Sequence, residues 1–179
     1  MQVDSNYKSL DEALQGLDFP KEIRDSLALV DVAYLSFDGQ KHQGQLVVHQ
    51  HLVRDIQNIF NALLEYKFPI HKVVPIVAYD GDDTASMEDN NSSAFNYRHI
   101  IGTNLYSSHS YGRAIDINPR QNPYYARDGK NYPAGASHDA SVPGTFTKDG
   151  GAVAIFKAKG WTWLGEREEY KDFQHFEKR

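Results

Sequence analysis

The sequence has no cysteine among its 179 residues. That single absence removes disulfides, thiolate-bound zinc, iron–sulfur clusters and thiol nucleophiles together. Any transition-metal site must therefore be built from His, Asp and Glu. No stretch approaches the ~20 continuous apolar residues that cross a bilayer, so no membrane span is expected. Nor is there a long basic run, and the formal net charge is -5. A nucleic-acid partner, which needs a clustered positive face, is not expected. Internal repeats and low-complexity tracts are missing. The opening Met1-Gln2-Val3-Asp4-Ser5 has neither the basic region nor the apolar core of a signal peptide.

What is present is the composition of a folded globular chain, with 40% hydrophobic, 24% charged and 12% aromatic residues. The length fits one domain over residues 1–179, acting as a monomer, with enough chain to bury a proper core. Eleven Tyr and nine Phe against two Met point to a rigid interior with aromatic walls.

Pro20 to Leu27 reads as a short helix with Pro in its first turn. The β-rich runs 30–37 and 43–49, separated by Asp38-Gly39, read as an antiparallel hairpin. From about Gln50 to Tyr66, the apolar residues Leu52, Ile56, Ile59, Phe60, Leu63 and Leu64 mark one face of an amphipathic helix ended by Phe68-Pro69. Lys72 to Tyr79 reads as a strand, with Pro75 hinting at an edge or bulge. Residues 80–96, rich in Asp, Asn and Ser, read as a long surface loop, and their acids as a solvated set without the ligand ladder of a calcium loop. Residues 119–151 are irregular, Gly151–Lys159 a short helix, 161–164 a strand, and Asp172–Phe176 extended. Helices and strands without regular βαβ alternation give an α+β fold, an antiparallel sheet with flanking helices.

Two clusters carry chemistry. The first runs Ser107-Ser108-His109-Ser110-Tyr111-Gly112-Arg113-Ala114-Ile115-Asp116-Ile117, and the second Asp172-Phe173-Gln174-His175-Phe176-Glu177. If residues 114–117 form a strand, alternation puts Ala114 and Asp116 on one face while Ile115 and Ile117 anchor the other in the core. Gly112 permits a turn that brings His109 back over that strand. His109 and Asp116 supply two ligands of a zinc-type site, which usually has three protein ligands and an open position. His175 is the best remaining candidate for the third. Asp172, three residues earlier, is a carboxylate able to take a proton.

The pattern Ser107-x-His109-x-x-Gly112-x-Ala114-x-Asp116, followed by Asp172-x-x-His175-Phe176, closely resembles the zinc D-Ala-D-Ala carboxypeptidase family, which includes L-alanyl-D-glutamate endopeptidases of phage lysins. The segment Ser93-Ala94-Phe95-Asn96-Tyr97-Arg98 is similar to the one preceding that motif, so the likeness spans about residues 90–179. The resemblance implies a Zn2+ cofactor held by His109, Asp116 and His175, with Asp172 as catalytic base. It further implies that Arg98 binds the substrate carbonyl or stabilises the oxyanion. Ser107 lines the site, either contacting substrate or bonding its own turn, and an ion pair from Arg98 to one of the loop acids is the competing assignment for that residue. Glu177 stands where some relatives have His and is not counted as a ligand.

The implied fold is hedgehog/DD-peptidase-like, with zinc in a groove over the sheet. The implied substrate is a peptidoglycan stem peptide, cut at L-Ala-D-Glu or at a D-Ala-D-Ala end, in the periplasm or outside the cell. A non-catalytic zinc module that binds cell wall or protein, and a D,D-dipeptidase, are the competing functions. His99 is a candidate for the groove wall; His49 and His51 read as surface residues. Trp161 and Trp163 read as core and groove wall.

Overall fold

The computed structural model describes all 179 residues, and its elements are short apart from one hairpin and one helix. In chain order they are β1 (Gln2–Val3), α1 (Leu10–Ala13), α2 (Lys21–Arg24), β2 (Leu27–Leu35), β3 (Lys41–His49), α3 (Val53–Glu65), β4 (Lys72–Val73), α4 (Asp83–Glu88) and β5 (Asn91–Ser92). There follow β6 (Ala114–Asp116), β7 (Tyr124–Tyr125), β8 (Asn131–Tyr132), α5 (Gly151–Lys157), β9 (Thr162–Trp163), β10 (Lys171–Asp172) and β11 (His175–Glu177). The class is α+β, as expected, but the strands divide among four small sheets, and β1–β3 and β4–β5 pair in parallel.

β2 and β3 form the expected hairpin, antiparallel from Leu27 opposite His49 to Leu35 opposite Lys41. α3 lays Ile56, Ile59, Phe60 and Leu63 into the main core with Val30, Val32, Leu46 and Val48 of the hairpin. The helix stops because Lys67 turns left-handed (φ 59°). Lys67 N–H then donates to Leu64 O and Phe68 N–H to Leu63 O, two bonds of a Schellman cap that satisfies the last carbonyls before Pro69 is reached.

Two expectations fail upstream of the site. The strand expected over Lys72–Tyr79 covers only Lys72–Val73, and Ile76–Tyr79 is a 3₁₀ turn. Pro75 has no N–H for a ladder, and the N–H of Val74 donates to the Asn91 side chain instead. The surface loop expected over 80–96 is instead a short helix capped by Asp82, followed by a buried segment from Asn90 to Asn96. Its polar side chains are consumed internally. Asn91 Nδ2 donates to Val74 O and Ser86 Oγ, while Ser93 exchanges both backbone hydrogen bonds with Asp116.

The second sheet has the order β6-β11-β9 and carries the site. β11 pairs antiparallel with β6, placing His175 opposite Asp116, Phe176 opposite Ile115 and Glu177 opposite Ala114. Alternation sends Ile115 and Phe176 into the core, where Phe176 stacks on Phe156 at 3.9 Å between ring centroids. The third sheet, β10-β7-β8, ends in Asp172, which pairs with Tyr124. Gly112 joins the hairpin to the site. Its φ is 62°, its carbonyl accepts from His49 N–H at 2.9 Å, and a Cβ there would lie 2.5 Å from the His49 nitrogen.

Two outcomes follow. Gly112→Ala combines a left-handed backbone with a clash against backbone atoms, so it should cost about 2 kcal/mol or more in denaturant unfolding. A loss of a few tenths would contradict this packing. The second concerns His42, buried with Nδ1 2.8 Å from Asp4 and Nε2 3.0 Å from Asp38. Burial alone pushes its imidazole down, but the two carboxylates outweigh that and raise it above its ordinary value. A raised folded value stabilises the protein below the unfolded value of about 6.5, and that contribution is lost as pH rises through the folded one. Unfolding free energy measured from about pH 6 to pH 9 should fall for the wild type and fall less for His42→Gln; parallel curves would contradict it.

Candidate metal centre

Three elements bring the donors together. A 3₁₀ turn, Ser108–Tyr111, ends in the left-handed Gly112 and presents His109; β6 presents Asp116; β11 presents His175. His109 Nε2 lies 3.1 Å from Asp116 Oδ2 and 3.1 Å from His175 Nδ1, and His175 Nδ1 lies 3.0 Å from Asp116 Oδ1. The two histidines thus face different Asp116 oxygens, and one donor atom from each residue lies within 4.8 Å of the other two, a spread compatible with donors gathered around one ion. All three side chains are buried, with residue exposures of 2%, 7% and 7%.

The donor chemistry fits a borderline-soft divalent ion. His109 Nδ1–H donates to the Ala94 carbonyl, which fixes the tautomer and leaves the Nε2 lone pair facing inward. His175 turns Nδ1 inward and Nε2 toward Glu177 Oε2 at 3.7 Å, and Ser108 Oγ donates to that same carboxylate oxygen at 2.6 Å. Two imidazoles and one carboxylate, with no Lys or Arg ion-paired to the carboxylate, make a group that can hold a metal. Burial works against the Asp116 charge, yet the two histidines outweigh it and hold the carboxyl well below the usual range. For His175, burial opposes the charge and Asp116 favours it, giving a net rise to about 10. For Glu177, the nearby His175 imidazole and the hydrogen bond from Ser108 outweigh burial and lower its carboxyl to about 2.

The site opens into a groove of about 950 Å3, on which Asp172, Arg98 and Ser107 also lie. Asp172 is partly buried, and its Oδ1 is buried without a hydrogen-bond partner. Burial raises its carboxyl to about 7, against the opposing charges of His175 and Arg98. Arg98 pairs through Nη2 with Asp83 Oδ2 at 3.0 Å, while its Nε stays buried and unpartnered. The ion pair to a loop acid, expected as a competitor to a substrate role, is therefore formed, and it leaves part of the guanidinium free. Ser107 Oγ accepts from His109 N–H at 3.3 Å, so it bonds its own turn while lying on the groove.

Other candidates fall away from the centre. His99 is exposed and stacks on the groove residue Tyr106 without lining the groove itself. His49 contacts Arg113 and is half-buried, not a surface residue; His51 is exposed. Trp161 and Trp163 both belong to the core.

Sequence reasoning missed Asp83, placed there among solvated acids, and the contact of Glu177 with His175. For Glu177 a signal existed, because residues two apart on a strand share a face. Nothing local marks Asp83, whose partner arrives from fifteen residues downstream.

No curated protein and no solved structure matches the chain. Residues 101–178 match the family model described as D-alanyl-D-alanine carboxypeptidase, a span that holds His109, Asp116, Asp172 and His175 and begins just after Arg98. The C-terminal part of this chain, which holds the His109–Asp116–His175 group that could bind a metal, is thus similar to the D-alanyl-D-alanine carboxypeptidase family.

Proposed function

We propose that the protein is a zinc metallopeptidase that hydrolyses peptide bonds of peptidoglycan stem peptides outside the cytoplasm. The observation that carries the reading is the buried His109–Asp116–His175 group opening onto a groove that also holds a carboxylate and an arginine with unpartnered atoms. A purely structural zinc site needs neither of those. When bound, the cation supplies Lewis acidity, polarising a peptide carbonyl and making water a competent nucleophile near neutral pH.

The residues of the chain divide the remaining work. His109, Asp116 and His175 hold the cation, with the two histidines oriented by the Ala94 carbonyl and by Glu177. Asp172 takes a proton from the attacking water and passes it to the leaving amine, and with the second water proton following it the peptide and one water become a carboxylate and an ammonium group. The Asp172 carboxylate lies on the groove beside the three donors, where that transfer would occur. Arg98, steadied by Asp83, donates to the carbonyl oxygen as negative charge builds on it. Tyr124, Tyr132 and Tyr170 give the groove an aromatic wall beside Asp172, and its volume of about 950 Å3 suits a multi-residue peptide better than a free dipeptide. The scissile bond is L-Ala-D-Glu or the terminal D-Ala-D-Ala.

The direct test incubates zinc-loaded protein with purified peptidoglycan and identifies new termini by mass spectrometry. Wild type should release them and Asp172→Ala should not, with zinc content equal in both. Zinc bound by wild type without cleavage would replace this reading with a cell-wall or protein-binding module. Arg98→Ala should keep its zinc and lose about 10²–10³ in kcat, the usual effect of removing one oxyanion donor. Unchanged turnover would remove Arg98 from the chemistry.

A further inference from the structure

Ten large apolar residues are exposed on the whole chain, and five of them line the groove: Ile100, Ile101, Leu105, Tyr106 and Tyr111. Apolar residues scattered singly over a surface need no explanation, whereas a cluster on the rim of a groove marks a place where something binds. Four of the five lie on one arm of chain, residues 98–107.

That arm is a small antiparallel hairpin. Ser107 N–H donates to Arg98 O at 3.0 Å and Ile100 N–H to Leu105 O at 2.8 Å, which sets Arg98 opposite Ser107, His99 opposite Tyr106 and Ile100 opposite Leu105. Thr103 closes the tip, its hydroxyl donating to Ile100 O and accepting from Leu105 N–H. Side chains alternate between the two faces of such a pair. His99 and Tyr106 take one face, where Tyr106 stacks on His99 at 4.3 Å and on Tyr97 at 4.8 Å between ring centroids. Arg98, Ser107, Ile100 and Leu105 take the other, and all four line the groove, which His99 does not. The apolar pair therefore sits one pleat beyond Arg98, about 7 Å along the strand. Ile100 is 44% exposed and Leu105 68%, and neither belongs to the core.

We infer that Ile100 and Leu105 form an apolar subsite for the aliphatic side chain of the diamino residue at the third position of the stem peptide. The inference rests on the peptide-hydrolase reading, which supplies the occupant. The apolar face continues directly from Arg98 and Ser107, so a peptide whose scissile carbonyl meets Arg98 extends over it. Extended chain advances about 3.3–3.4 Å per residue, so the face meets a residue near the scissile bond and not one at the far end of the ligand. In a pentapeptide of L-Ala, D-Glu, a diamino acid, D-Ala and D-Ala, the third residue meets that condition for both candidate bonds. It is the second residue before the D-Ala-D-Ala bond and the second after the L-Ala-D-Glu bond. It is also the one residue whose side chain has a run of methylenes, the others offering a methyl or a carboxylate. An exposed rim suits such a chain, because the methylenes lie on Ile100 and Leu105 while the amine end stays in water.

The test measures kcat/KM of the zinc-loaded protein on synthetic pentapeptides with Lys, norleucine or Ala at the third position. Wild type should prefer the Lys and norleucine peptides over the Ala peptide by about 10-fold, mostly through KM, the effect of a few half-buried methylenes. Ile100→Thr combined with Leu105→Ser should cut both preferences to about twofold or less, because the apolar contact is removed. Zinc content and melting temperature should not change, since both side chains lie outside the core. Should the double variant melt lower, Leu105→Ser alone carries the comparison. Equal preferences in wild type and variant overturn the inference. So does a norleucine peptide cut no better than the Ala peptide, which assigns the selectivity to the ammonium group and an acid of the groove. A wild-type dimer in sedimentation equilibrium that the double variant abolishes overturns it too, by giving the face to a second copy of the chain. If wild type binds the pentapeptides without cutting them, Kd replaces kcat/KM as the readout. A preference in Kd that the variant loses would then keep the subsite while the hydrolase reading falls, and binding of none of the three peptides would overturn both.

Discussion

The register of β11 on β6 is the constraint on which the site depends. Pairing His175 with Asp116 and Phe176 with Ile115 sends the two polar residues to the groove and the two apolar ones to the core. A slip of one residue would invert both faces, putting Phe176 in the groove and two ionisable groups in the core. The core therefore enforces the geometry of the candidate donors: Phe176 packed against Phe146, Phe156 and Trp163 is what holds His175 3.0 Å from Asp116. The hydrophobic effect supplies the energy, and the ladder converts it into position.

Around that pair, the remaining parts are placed by backbone rather than by side-chain packing. The buried segment Asn91–Asn96 is threaded between hairpin and site: Phe95 N–H donates to Val47 O, and Ser93 pairs with Asp116. The same segment supplies the Ala94 carbonyl that orients His109 and leads directly into Arg98. Arg98 is fixed in turn, its N–H and carbonyl both bonded to Ser110 Oγ in the turn that carries His109. One stretch of chain thus positions His109, a candidate metal donor, and a charged groove residue together. Behind β6, Asn118 and Asn122 clasp the irregular region, bonding the backbone at Pro69, His71, Gly144 and Phe146.

The parts of this architecture legible in the sequence are those where a period meets a partner of fixed chemistry. Alternation around Asp116 and the three-and-four spacing of α3 are local signals, and both survive into the structure because the core reads the same apolar residues. That His109, Asp116 and His175 come together was legible from residue type, spacing and family likeness combined. Residues 80–96 were not, because polar composition ordinarily means solvent, whereas here Asn91, Ser92 and Ser93 replace sheet partners and are buried for that reason. The Arg98–Asp83 pair and the asparagine clasps join residues far apart in sequence, and no local pattern announces them. Ser107 was left between two roles, and its bond to His109 N–H together with its place on the groove keeps both.

The claim at the centre of this account is that one zinc ion sits among His109, Asp116 and His175 with its remaining coordination open to the groove. An anomalous difference map at the zinc edge, from crystals of the zinc-loaded protein, tests it directly. The account predicts one strong peak about 2.0–2.2 Å from His109 Nε2, an Asp116 oxygen and His175 Nδ1, with a non-protein fourth ligand. A peak elsewhere, or Glu177 closing the coordination as a fourth protein ligand, would contradict it.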